Sequence, residues 1–278
     1  MRIPPRYTQI LAQLVLGAAT LCTVGILIFV IVFVLREGLP VLSWDFLFSN
    51  PRDMGRAGGI FPTLVGTVVL PLLAIAIALP LGVGTAVYLT EYTRETRATR
   101  VIRFGTDCLA AIPSIIFGLF GFIFFVTMLG MGWSLLSGGL TLAIMILPTI
   151  IRTSEEAIHA VPNAYREVSF SLGATRWRTV VKVVLPNALP GIVTGVMLGI
   201  GRSIGETAAV IFTAGSALRV PHSVFDSART MSVHFYILAR EGISTENAYG
   251  TAAVLILSVL AVNLVAYGLM HRFMAGKA

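Results

Sequence analysis

The sequence predicts an all-α integral membrane protein with six transmembrane helices, and three observations carry that expectation. The 278 residues are 56% hydrophobic and only 12% charged, with a mean hydropathy of +0.88, whereas a soluble domain has about 25% charged residues. Six apolar runs approach the roughly 20 residues needed to cross about 30 Å of hydrocarbon. They are Ile10–Leu35, Leu64–Thr90, Leu109–Leu129, Trp133–Ile151, Ala188–Ala214 and Gly250–Met270. Summed over alternate segments outside these runs, basic residues number thirteen on one side against six on the other.

That bias gives the orientation. One side holds Arg2, Arg6, Arg94, Arg97, Arg100, Arg103, Arg152, Arg166, Arg176, Arg178, Lys182, Arg272 and Lys277, and the other Arg36, Arg52, Arg56, Arg219, Arg229 and Arg240. Basic residues gather on the cytoplasmic side. Both termini and residues 152–187 are therefore expected in the cytoplasm of a multi-pass protein of the bacterial inner membrane. The formal net charge of +7 is a topology signal and points to membrane lipid rather than to nucleic acid. The first run is too long for a signal-peptide core and no small-residue cleavage site follows it, so it is expected to stay as an anchor. Cys22 and Cys108 fall in or beside apolar runs, where buried small hydrophobes are expected rather than a disulfide.

Residues 1–63 read as an N-terminal segment entered at Pro4-Pro5, with the first span and an outer loop; residues 64–278 read as a five-helix core. In the outer loop, Trp44, Phe46 and Phe48 are expected to anchor the membrane interface. The second span holds Pro71, Pro80 and several glycines, which suits a bent helix packed inside a bundle. The following stretch sets Arg94, Glu95, Arg97, Arg100 and Arg103 at helical spacings, as in a solvated connecting helix. Pro113, with small residues around it, is expected to break or hinge the start of the third span. The longest outer loop, 215–249, includes Met231–Ala239 as a candidate interfacial helix.

The stretch Glu167–Pro186, within the segment 152–187, organises the chain. Pro162 can open a helix, because proline at the first helical position loses an N–H that is unpaired anyway. Tyr165, Val168 and Leu172 then share one face. Gly173 is placed to end that helix in the left-handed conformation. Thr175 can cap a second helix with Trp177, Val180, Val181 and Val184 on one face, and Leu185-Pro186 is expected to stop it. Two short amphipathic helices meeting at a glycine suit a docking surface, and an ordinary basic cytoplasmic loop is the alternative. Glu167, Gly173 six residues on, and Leu185-Pro186 resemble the EAA loop of ABC-importer permeases, with Val168 and Ser169 where that family usually has two alanines and Val183 where it has isoleucine. The resemblance implies that Tyr165, Glu167, Val168, Leu172, Gly173 and Ala174 contact a cytoplasmic ATPase, and that the fold is that of a type I ABC importer permease.

Further stretches narrow the resemblance. Gly59-Ile60-Phe61-Pro62-Thr63-Leu64-Val65-Gly66-Thr67, Ile112-Pro113-Ser114-Ile115-Ile116-Phe117-Gly118-Leu119 and Arg202-Ser203-Ile204-Gly205-Glu206-Thr207 are similar to phosphate-specific ABC importer permeases of the PstA type. The partners this implies are a PstC-like second permease, two PstB-like ATPases and a soluble PstS-like phosphate-binding protein. It also implies that this chain is no enzyme and binds no cofactor, ATP being used by the ATPase.

Arg202 and Glu206 are the only charged residues well inside the six runs. A mid-bilayer arginine costs at least about 2.5–3.5 kcal/mol, so such residues face protein or water and mark a transport path. On a continuous helix Gly191, Gly195, Gly199, Arg202 and Glu206 fall within roughly an 80° arc, and the glycines allow close approach. Arg202, Glu206, Ser203 and Thr207 are the candidate path residues. An arginine fork suits phosphate oxygens, and a structural Arg202–Glu206 bridge is the competing explanation. Other signals fail. Gly201-Arg202-Ser203-Ile204-Gly205 matches G-x-S-x-G but lies in an apolar helix rather than a strand–turn–helix elbow. His159, His222, His234 and His271 lack metal-ligand spacing, and Gly276-Lys277 is no phosphate-binding loop because Ala278 follows it. The rivals that remain are a permease for molybdate, sulfate or phosphonate, an ion-coupled transporter with Glu206 as proton site, and a membrane enzyme without a catalytic constellation.

Overall fold

The computed structural model describes residues 5–94 and 96–275. Arg2, Pro4, Glu95 and Gly276, Lys277 and Ala278 lie outside them, as do the side chains of Arg6, His271 and Arg272.

The chain opens with α1 (Pro5–Gly38), whose surface is exposed through most of its length. Helix α2 (Trp44–Phe48) follows, and the Ser43 Oγ caps it by accepting the Phe46 N–H at 3.1 Å. A two-stranded antiparallel ribbon, β1 (Pro51–Arg52) and β2 (Ala57–Gly58), closes the loop. Trp44 and Phe48 are exposed and stacked, as an interfacial anchor requires, but Phe46 is buried in a core with Ile60, Met231 and Val254. Helix α3 (Phe61–Val87) starts with Pro62 in its first turn, tolerates Pro71 and Pro80, and ends in a π turn, Tyr88–Tyr92.

Two predicted spans are corrected. Leu109–Leu129 is not one helix. Its first residues belong to α4 (Arg97–Ala111), an amphipathic helix started by a reciprocal Thr96–Thr99 capping box. Ile112 and Pro113 are extended, because a residue before proline is pushed out of the α region. Helix α5 (Ser114–Gly121), prolonged by a π turn to Met128, leaves at 101° to α4. The helix breaks at Ile112-Pro113, between the end of α4 and the start of α5. Ala188–Ala214 is also broken, as described below.

Helix α6 (Leu135–His159) runs past Ile151, so the first part of the 152–187 stretch is helical. Helices α7 (Asn163–Ser171) and α8 (Arg176–Thr179) follow. Pro162 is the residue before α7 rather than its first. Leu185-Pro186 does not stop α8. A π turn, Val180–Val184, carries the helix into α9 (Leu185–Gly205), giving one helical run over Arg176–Gly205. The proline ring removes an acceptor-seeking N–H, and the π turn accommodates it by local rewinding. The face predicted for this helix is divided: Val180 and Val184 are buried, Trp177 and Val181 exposed.

The chain ends with α10 (Ala208–Thr213), α11 (Met231–Arg240) and α12 (Thr245–Ala275). Helix α11 is docked rather than lying at an interface, since Met231, Val233, His234 and Leu238 are fully buried. Among the described residues five helices are long and apolar enough to cross a membrane, six if α4 and α5 form one bent span. Their centre is α3 against α6, with Leu70, Ala74 and Ala78 meeting Leu142, Met145, Ile146 and Ile150. A second core of Ala86, Ile158, Val180, Val184 and Ile192 joins the ends of α3 and α6 to the α8–α9 run. Cys22 and Cys108 are free thiols exposed on the surface of the chain, not buried as expected.

Candidate functional site

At one end of the bundle α7 and α8 form a knuckle. Gly173 has φ +79° and nothing within 4 Å of where a Cβ would sit, so its requirement is conformational and not steric. Its N–H donates to the Phe170 carbonyl at 2.9 Å and that of Ala174 to Ser169 at 3.1 Å, closing α7. The Thr175 side chain accepts the Arg178 N–H and starts α8, and a 2.8 Å hydrogen bond between Ser169 Oγ and Thr179 Oγ1 locks the helices together. What this rigid turn presents outward is apolar. Leu172 is 83% and Trp177 66% exposed, with Tyr165, Val168 and Phe170 beside them, while Glu167 is exposed and Ala174 half-buried. An exposed apolar cluster rimmed by Arg176, Arg178 and Lys182 is a surface built to be covered.

The knuckle is fastened to the membrane helices by a pair that the sequence did not announce. Arg166 in α7 donates Nε and Nη2 to Glu91 Oε1 at 3.0 and 2.7 Å, and further N–H groups to the carbonyls of Ile158 and Val161 at 3.0 and 2.7 Å. Its guanidinium thus ties the π turn after α3 to α7 and pairs carbonyls at the end of α6. Side chains 75 residues apart, on α7 and on the turn after α3, share no local spacing, so no motif could have marked them. Arg103–Glu155 and Arg152–Asp107 ion pairs hold α4 against α6 in the same region.

The candidate path residues do not form one continuous stripe. Helix α9 ends at Gly205, and Glu206 is extended, with φ −74° and ψ 127°. The Glu206 Oε1 accepts the Ala209 N–H at 3.1 Å, and its carbonyl accepts the Ser232 Oγ–H at 2.8 Å. Glu206 therefore fixes the break between α9 and α10. No hydrogen bond or ion pair joins it to Arg202 among the described residues, which removes the bridge assumed from a four-residue helical spacing. Arg202 lies instead in a cavity of about 440 Å³ between α9 and α12, shared with Thr194 and Asn263. Ser203 is buried, its hydroxyl without a described partner. Thr207 lines a second cavity, of about 990 Å³, on the side of α5, α10 and α11.

The glycines separate from the arginine as well. A Cβ on Gly191 would come within 2.5 Å of Ala157, one on Gly195 would collide with Thr153, and one on Gly199 would meet Ile75 at 3.3 Å. The stripe is the seat of α6 and α3 on α9, with Arg202 at its edge.

At the opposite end from the knuckle, buried Arg229 donates Nε to the Ser216 carbonyl at 2.9 Å and contacts His234 Nδ1 at 3.3 Å. Burial, with the Arg229 charge adding to it, lowers the His234 pKa to about 4, so His234 is neutral and Nδ1 accepts. Gly55, at φ +100°, lets the first loop close over that ring. Among the described residues no group of three His, Cys, Asp or Glu gathers to hold a metal.

Comparison with known proteins places this geometry. The family model described as "Binding-protein-dependent transport system inner membrane component" matches residues 78–276. The probable ABC transporter permease protein YqgI of Bacillus subtilis is 33% identical over 94% of each chain. The phosphate transport system permease protein PstA 1 of Mycobacterium tuberculosis is 38% identical over 80% of this chain and 73% of its own. Among solved structures, a bacterial alginate ABC transporter, in complex with an alginate pentasaccharide-bound periplasmic protein, is 16% identical with a TM-score of 0.68 over 96% of this chain and 97% of that one. The inward-facing MetNI methionine ABC transporter is 21% identical with a TM-score of 0.62 over 77% and 94%. At those identities the structures speak for the fold alone.

Proposed function

The chain belongs to the family of binding-protein-dependent transport system inner membrane components, and from that premise we propose that it is the subunit through which an ATP-driven importer passes inorganic phosphate. It is an ABC importer permease subunit of the type I fold and a multi-pass inner-membrane protein, a transport component rather than an enzyme. Permeases of this kind work with ATP-hydrolysing and substrate-binding partners. For this chain the reading adds a PstC-like second permease, two PstB-like ATPases and a PstS-like binding protein. It puts both termini and the α7–α8 knuckle in the cytoplasm and α11 outside. Phosphate is favoured because relatives named phosphate transport system permease protein PstA align over most of the chain.

The observation that carries the mechanism is the unbroken helical run from Arg176 to Gly205. Because Pro186 does not interrupt it, a push on the exposed knuckle is delivered along one rod to the Glu206 break beside Arg202. ATPase closure at Leu172 and Trp177 would move that break, which Glu206 itself holds through Ala209 and Ser232. Arg202 supplies a guanidinium whose planar N–H groups suit oxyanions. With no carboxylate bonded to it among the described residues, its donors are available to the anion, and passage requires only weak binding.

The test is uptake of labelled phosphate into proteoliposomes holding the complete complex and binding protein. Arg202→Gln is expected to abolish uptake and Arg202→Lys to restore it poorly, since a point charge does not reproduce the fork. Sulfate and arsenate are measured in parallel. Wild-type transport by Arg202→Gln would remove this residue from the path. ATP-dependent uptake of sulfate or molybdate but not phosphate would reassign the cargo.

A further inference from the structure

The cavity of about 990 Å³ that contains Thr207 has one charged residue in its lining, Arg240. The rest of that lining is mainly apolar, with Ser216 and Ser227 as further hydroxyls. Arg240 ends α11, where a basic side chain can turn toward the last carbonyls of its own helix. It does the reverse. Its Nη1 donates to the Tyr236 hydroxyl one turn earlier at 2.8 Å, and its guanidinium carbon lies 5.6 Å from the centre of the Tyr236 ring. Residues four apart on a helix face each other, and ring and hydroxyl together hold the cation over the cavity.

The chemistry left over is specific. Among the described residues Arg240 has no carboxylate at ion-pair distance, and one of its five N–H donors is committed. The Tyr236 oxygen accepts from Arg240, so its own O–H is left to donate outward. A guanidinium edge and a phenolic O–H therefore line the same cavity as Thr207, the residue that follows the Glu206 break. That is a donor-only array, and it complements a tetrahedral oxyanion.

We propose that Arg240, held by Tyr236, is the outer receiving site for the oxyanion in this cavity, occupied before the anion reaches Thr207 at the Glu206 break. This deepens the reading of the chain as an oxyanion importer and rests on it. The site is exposed and its attraction is screened by salt, which suits capture and onward release rather than storage.

The experiment uses the complete complex with its binding protein in proteoliposomes and labelled phosphate as the probe. Arg240→Gln is expected to lower uptake about tenfold at low ionic strength, the scale of electrostatic steering into a charged cleft, and by much less at high salt. Tyr236→Phe, which loses the hydroxyl but keeps the ring, is expected to fall between wild type and Arg240→Gln. A decisive version places Arg240→Cys in a chain whose Cys22 and Cys108 are serine. External aminoethyl thiosulfonate, which restores a positive charge, should recover uptake, and sulfonatoethyl thiosulfonate, which adds a negative one, should not. Uptake by Arg240→Gln equal to wild type at both ionic strengths would overturn the proposal, and so would equal effects of the two reagents. If Arg240→Gln fails to assemble, as judged by gel filtration, the cysteine variant, modified after assembly, carries the test. Absence of ATP-dependent uptake of any oxyanion by the wild-type complex would instead remove the importer reading.

Discussion

Replacing Arg166 by glutamine should loosen the link between the knuckle and the membrane helices, and the structure gives the size of the effect. Arg166 makes two bonds to Glu91 and two to the carbonyls of Ile158 and Val161. The side chains are only 15% and 10% exposed. Removing one partner of a buried pair leaves the other charge uncompensated, at about 3–5 kcal/mol. Glu91→Gln is milder, because the carbonyl bonds survive and the amide oxygen still accepts. The loss is then the difference between charged and neutral hydrogen bonds, about 1–2 kcal/mol. At about 2–4 °C per kcal/mol, Arg166→Gln should lower the unfolding midpoint of the purified chain in detergent by roughly 6–20 °C. The double variant should lose less than the sum of the two, since the partners are in direct contact. Thermal scans of the four proteins measure this. A midpoint unchanged by Arg166→Gln, or strict additivity, would show that the pair carries no load.

Two further outcomes follow from the same reasoning. Gly173→Val forces a β-branched residue to φ +79°, a strain of roughly 1–3 kcal/mol. It should weaken capture of the ATPase subunit in a pull-down without the steric damage a buried glycine would show, and Leu172→Glu should do so without backbone strain. At the other end, the His234 pKa is about 4 in the fold against 6.5 in the unfolded chain, so the unfolded state takes up a proton first as pH falls. Stability contributed by neutral His234 is present above pH 6.5 and lost by about pH 4, worth about 3 kcal/mol. Unfolding midpoints measured across that window should fall more steeply for wild type than for His234→Gln.

Much of this was legible in the sequence, and the failures have a common origin. Hydropathy over 20 residues located the apolar runs because transfer energy sums over a segment. It is blind to single dihedral angles, so the break at Glu206 was absorbed into a uniform span, and the bend at Ile112–Pro113 was signalled only by the proline itself. The Arg202–Glu206 bridge failed for that reason: a spacing of four implies adjacency only if the intervening backbone is helical. Pro186 failed in the opposite direction, since a missing N–H was read as an end where a π turn accommodates it. Gly173 and Thr175 were readable because a left-handed turn and a helix cap are local demands. Glu91 with Arg166 was not, being set by tertiary placement. Arg240 with Tyr236 was present as a spacing of four, but only the cavity gives it meaning.

The 101° bend between α4 and α5 has a consequence for the surrounding bilayer. The helical run after the bend, Ser114–Met128, is about 22 Å long at 1.5 Å per residue, against a hydrocarbon layer of about 30 Å. Its neighbour α10, Ala208–Thr213, is shorter still, and the two pack side by side with Gly118 close to Ala209. Where lipid rather than a second subunit borders this pair, the bilayer has to thin to match it, at fractions of a kcal/mol per Å. Meanwhile α4, with Val101, Ile102 and Phe104 exposed, turns aside instead of adding to the depth of the span. The chain therefore carries one short helical pair beside several full-length spans, so its activity should depend on acyl-chain length.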